Sequence, residues 1–201
     1  MNKKISIKEF SPELQRAIAK EVSTRRHSKR VRSKTELSDE AKAFLDAVVK
    51  GTWTQREDGK IDVTGSVEAV RNPTLHLFMG KEIFFGNVTE SFTCPYTKIT
   101  SLQGAPKVVG GDFYCNYTKI TSLEGAPREV GGVFNCSRTK ITSLKGAPKV
   151  VGGDFECYMT QITSLEGSPR EVGGNFDCSH TKITSLDGIG EVKGRIYSDR
   201  K

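Results

Sequence analysis

The sequence predicts a mainly β solenoid of about five 21-residue coils with parallel strands, preceded by a basic, helical N-terminal segment and an irregular cap. Three observations carry that prediction. All five cysteines of the 201-residue chain (Cys94, Cys115, Cys136, Cys157 and Cys178) are spaced by 21 residues. Phe92, Phe113, Phe134, Phe155 and Phe176 precede them by two positions, while Leu102, Leu123, Leu144, Leu165 and Leu186 follow on the same beat. Gly-Gly pairs beginning at Gly110, Gly131, Gly152 and Gly173 recur once per unit. With 35% hydrophobic and 27% charged residues the composition alone lies close to that of disordered chains, so it is the regular spacing that argues for a packed core.

Taken in chain order, residues 1–51 read as a basic arm with two helices. The chain carries a net charge of +7, and residues 1–35 hold eleven basic and three acidic side chains, which places the whole excess in this arm. Ser11 to Val22 predicts a helix, with Pro12 at its first position and Leu14, Ile18 and Val22 at intervals of four. The following stretch contains Arg25, Arg26, Lys29, Arg30, Arg32 and Lys34 with little to bury, and predicts a linker able to contact nucleic acid or an acidic protein surface. Ser38, followed by Asp39 and Glu40, starts a second helix expected to end near Gly51.

Residues 52–87 read as the N-terminal cap. Ile61 to Val67 alternates as a strand does, and Trp53, close to an Asp58-Gly59 turn, is placed to pack across an open coil. Leu75, Leu77, Phe78, Ile83, Phe84, Phe85 and Val88 suggest an irregular first coil. Residues 88–201 form the repeat and its C-terminal cap, where Gly188 to Gly194 is one residue short and Gly190 replaces the proline.

Each unit reads x-F-x-C-x-x-T-K-I-T-S-L-x-G-A-P-[KR]-x-V-G-G, with small departures. Phe and Cys, two apart, point to one face of a short strand. Ile and Leu, three apart, return to the same interior through a tight bend, and Gly-x-Pro ends any helical turn there. The Gly-Gly pair supplies either positive φ or close backbone approach before the next strand. One such unit cannot bury its own apolar side, whereas stacked copies bury a continuous one and advance ~4.8 Å per coil.

This pattern resembles the short leucine-rich-repeat-type coils, TSLxGAPxxVGGxFxC, of proteins from tailed bacteriophages and bacteria. The resemblance covers residues 88 to about 198 and implies a right-handed, leucine-rich-repeat-like solenoid. The chain departs from ordinary leucine-rich repeats in lacking the asparagine ladder: two residues after each Cys stand Tyr96, Tyr117, Arg138, Met159 and His180. The Thr that follows is the candidate to bond the turns instead.

Several chemistries are disfavoured. Five cysteines in a linear file, an odd number pointing inward, favour buried free thiols over disulfides, and the file offers no tetrahedral metal set. His27, His76 and His180 are dispersed and form no catalytic constellation, so the sequence predicts no catalytic, cofactor-binding or metal residues. No apolar run approaches the ~20 residues that cross a bilayer, and the lysine-bearing N-terminus has no apolar stretch behind it, so a cytoplasmic setting without membrane contact is expected.

Residues invariant from coil to coil are explained by packing, which leaves the unequal ones free for recognition. Around the strand these are Asp112 and Asp154 before Phe; Tyr114, Asn135, Glu156 and Asp177 after it; and Tyr158 beyond Cys, next to the column of Tyr96, Tyr117, Arg138, Met159 and His180. Tyr, Met and Arg on a rigid sheet are the composition of interface cores. The function expected is therefore a non-enzymatic protein-binding module, and the resemblance implies a phage-encoded protein acting on a host or defence protein. The alternatives are nucleic-acid binding through the arm and a structural role in the virion. Both a monomer and an end-to-end dimer through the last coil fit the sequence.

Overall fold

The computed structural model describes residues 36–199. The expected helix from Ser11 to Val22 and the six basic residues of the arm lie outside them. The compact unit that contains the repeats begins at Glu36.

Helix α1 (Asp39–Val48) starts where its signals place it: Ser38 Oγ accepts from the Ala41 N–H at 3.1 Å, and Asp39 and Glu40 occupy the first turn, where the helix dipole favours negative charge. Its buried face of Ala41, Phe44, Leu45 and Val48 joins the same core as the coils. The helix stops at Val48 rather than near Gly51, because Val49 opens strand β1 (Val49–Gln55), which pairs antiparallel with β2 (Ile61–Glu68). Trp53, opposite Val63, is partly buried against the core, and its Nε1–H donates to Asp46 Oδ1 at 2.8 Å, tying β1 to α1. A short helix α2 (Leu75–Phe78) then buries Leu75 and sets the irregular turn before the first repeat.

Six rungs follow, each with two short strands: β3 (Phe85–Val88) with β4 (Phe92–Thr93), β5 (Val108–Val109) with β6 (Phe113–Tyr114), β7 (Glu129–Val130) with β8 (Phe134–Asn135), β9 (Val150–Val151) with β10 (Phe155–Glu156), β11 (Glu171–Val172) with β12 (Phe176–Asp177), and β13 (Glu191–Val192) with β14 (Ile196–Tyr197). They stack as two parallel ladders that meet in β2, whose first half pairs with β3 and whose second half pairs with β4. Counting β2, the described residues form a parallel β-solenoid of seven rungs, two more than the motif shows. Val67 and Ile196 occupy the phenylalanine slot of the additional rungs, in register with Phe92 and Phe176, and their different side chains hide those rungs from the repeat.

Inside the shaft, Phe92, Phe113, Phe134, Phe155 and Phe176 are fully buried and lie one above another, with successive centroids 5.0–5.4 Å apart and planes within 24°. A centroid spacing above the ~4.8 Å rung spacing means that the rings are offset, the arrangement their quadrupoles favour. The thiols form a second buried file and are all free. Burial pushes the Cys94 thiol up to about 12 and that of Cys178 up to about 11.

The Gly-Gly corners solve a packing problem, not a dihedral one. None of these glycines has positive φ, but a Cβ at Gly131 would sit 2.1 Å from Gly110 O, and one at Gly152 would sit 2.2 Å from Gly131 O. Positive φ falls instead on the glycine of Gly-Ala-Pro and its equivalents, from Gly104 at 83° to Gly125 at 92°.

Candidate functional site

Two outward features of the Phe-side ladder hold the residues singled out in the sequence. The first is the turn after each strand. Arg71, Tyr96, Tyr117, Arg138, Met159 and His180 all have left-handed backbone, with φ between 52° and 59°. This conformation turns the chain away from the strand while its N–H still bonds the next coil, as from Tyr96 to Asn116 O at 3.2 Å and from Arg138 to Tyr158 O at 3.0 Å. The Thr repeated in each coil contributes differently from expectation. Each Thr hydroxyl donates to the Cys carbonyl three residues back in its own coil, at 2.8 Å for Thr97 and 2.7 Å for Thr118, Thr139, Thr160 and Thr181, so the main chain, not Thr, bonds one turn to the next.

The left-handed column is exposed and its side chains stack. Tyr96 and Tyr117 have ring centroids 4.4 Å apart; the Arg71 guanidinium lies 5.1 Å from the centroid of Tyr96, and that of Arg138 lies 5.1 Å from Tyr117 and 5.9 Å from Tyr158. Met159 and His180 continue the column outward. Arg71 is the member that the repeat motif does not reveal. Its signal appears only once β2 is in register: Val67 pairs with Phe92, so Arg71 falls opposite Tyr96.

The second feature is the strand itself. Asp112 and Asp154 bond the next coil, Asp112 Oδ1 accepting from Val133 N at 2.7 Å, Asp154 Oδ1 from Asn175 N at 2.6 Å and Asp154 Oδ2 from Asn175 Nδ2 at 3.5 Å. Asn135 is buried; its Nδ2 donates to Glu156 and its Oδ1 accepts from the Ser137 N–H and hydroxyl, so it supports the surface from beneath. Asp177 makes the same local turn with Ser179. Burial, reinforced by Asp154 and Asp177, raises the pKa of Glu156, and burial together with Asp112 and Glu156 raises that of Tyr114. The strand thus presents a negative strip beside the aromatic and cationic column.

Among the described residues no group of His, Cys, Asp or Glu is arranged to hold a metal ion, and no helix is long and apolar enough to cross a membrane. The fold and this outward face define a β-solenoid repeat protein. Compared with family models, curated proteins and solved structures, the chain matches none of them.

Proposed function

We propose that this chain is a non-enzymatic protein-binding module whose Phe-side strand face, with its left-handed column, receives a protein partner. The observation that supports this most is the column itself. A left-handed backbone costs an L-residue roughly 1–2 kcal/mol, and glycine or asparagine would serve the same turn at less cost. Tyr and Arg in that conformation, exposed and stacked on one another, and the exposed Met159 have no packing role in the shaft that would require them. Strain kept at an exposed position points to what the side chain presents.

The resemblance of the repeats to leucine-rich-type coils of phage and bacterial proteins supports a setting in which a phage-encoded protein modulates a host or defence protein in the bacterial cytoplasm. A pull-down from bacterial lysate, comparing the wild type with a Tyr114→Ala/Arg138→Ala/Tyr158→Ala variant, tests the surface: loss of a specific partner supports it, and equal recovery of every partner removes the strand face from consideration. A second reading, nucleic-acid binding, rests on the charge of residues 1–35. Removing those residues and titrating DNA and RNA at two salt concentrations separates the two, since counterion release makes phosphate binding fall steeply with salt.

A further inference from the structure

We infer that the partner segment received by the strand face is basic, a Lys- or Arg-rich stretch of protein; this rests on the reading of that face as the binding surface. On strands β4 to β12 of the Phe-side ladder, and at the residue before each, every formal charge is a carboxylate, whereas the cations of the neighbouring column, Arg71 and Arg138, lie against tyrosine rings. Asp112, Asp154, Glu156 and Asp177 lie in two adjacent columns, and none makes an ion pair with a Lys or Arg among the described residues, although such pairs occur at other places on the same unit. Asp112 keeps its second carboxylate oxygen clear of the bond to the next coil, whereas Asp154 Oδ2 accepts from Asn175 Nδ2 at 3.5 Å.

Beside these carboxylates the rings of Tyr96, Tyr117 and Tyr158 already receive guanidinium groups from Arg71 and Arg138. Those rings therefore already hold cations within the range of a cation–π contact, at 5.1–5.9 Å from their centroids. An Arg-bearing partner adds to both features at once: its charge meets the carboxylates and its planar heads extend the ring and guanidinium stack. A nucleic-acid backbone finds the bases a stacking surface but brings its phosphates against four carboxylates, a like-charge contact that discriminates against it.

The test uses the full chain and three fluorescent probes: an Arg-Ser repeat peptide, a Glu-Ser repeat peptide of equal length and a single-stranded oligonucleotide. Anisotropy titrations compare the wild type with Glu156→Gln/Asp177→Asn, which keeps the hydrogen-bonding shape of both side chains, and with Glu124→Gln/Glu166→Gln on a different exposed column. Two partly exposed charge pairs predict that the Arg-Ser peptide loses about tenfold in affinity for the first variant, against less than about twofold for the second. Equal loss in both variants, no binding of the Arg-Ser peptide, or an oligonucleotide that outcompetes it and is lost in Tyr96→Ala/Tyr117→Ala overturns the inference. If the Arg-Ser peptide fails while the Tyr114/Arg138/Tyr158 alanine variant still loses its protein partner, the basic chemistry is wrong and the surface stands. If that variant keeps every partner, both fall.

Discussion

Asp112 Oδ1 accepts a hydrogen bond from the backbone N–H of Val133, one coil further along the chain and 2.7 Å away. Gly132 makes room for it, since a Cβ there would lie 2.0 Å from the same oxygen. Asp112→Ala leaves a partly buried N–H without its acceptor and is expected to destabilise the protein by about 1–2 kcal/mol in urea unfolding, whereas Asp112→Asn retains the acceptor and loses less. Equal stability of the wild type and the alanine variant would show that water replaces the carboxylate there.

The phenylalanine file sets the cost of breaking the shaft. Phe134 is fully buried between Phe113 and Phe155, each 5.4 Å away, so Phe134→Ala is expected to cost about 3–5 kcal/mol, and Phe134→Leu distinctly less. Because each coil touches only its neighbours, amide exchange in the alanine variant should accelerate most in the coils around residue 134.

Met159 has a left-handed backbone and an exposed side chain. Met159→Asn is expected to raise stability by about 0.5–1 kcal/mol, because asparagine tolerates that region better than an unbranched apolar residue does. The same change at Tyr117 gains less, since it also removes the stacking with Tyr96 and Arg138. Thermal melts of the two variants provide the comparison.

The buried thiols link stability to alkaline pH. An unfolded cysteine releases its proton near its ordinary value of about 8.5, while the folded Cys94 holds it up to about 12. The unfolded state therefore binds fewer protons above that ordinary value, and stability is present in full below it and falls as pH rises toward the folded values. Cys136→Ala should flatten part of that fall. At pH 8 a thiol reagent should leave the folded chain unlabelled and modify all five cysteines once it is unfolded.

Glu156 behaves in the same sense at acidic pH. Its pKa is raised in the folded state by burial and by Asp154 and Asp177, so the ionised form costs stability above the ordinary carboxylate value of 4.5. Glu156→Gln should raise the melting temperature at neutral pH, and the difference from wild type should vanish as pH falls below about 4. A difference that persists there would place the effect in packing instead of charge.

The spacing of Phe, Cys, Ile, Leu and Gly-Gly made the shaft legible, because identical residues one turn apart must meet identical surroundings. What it hid were the terminal rungs, where Val67 and Ile196 fill the phenylalanine slot, and with them Arg71 of the left-handed column. Variation between coils was a sound guide to exposure at Tyr96, Tyr117 and Met159. It did not separate these from Asp112 and Asn135, whose side chains bond within the scaffold, because a single sequence records that a position differs and not whether its polar atoms face water or a neighbouring N–H.

Every rung offers the next one the same pair of edges, so length is an adjustable quantity in this architecture. Excising residues 134–154 joins Val133 to Phe155 and brings Phe155 opposite Phe113, shortening the molecule by one step of ~4.8 Å with no new kind of junction. Such a chain is a ruler graduated in whole repeats, and gene duplication or deletion in units of 63 nucleotides resizes it, and the footprint it offers, without redesigning the interior.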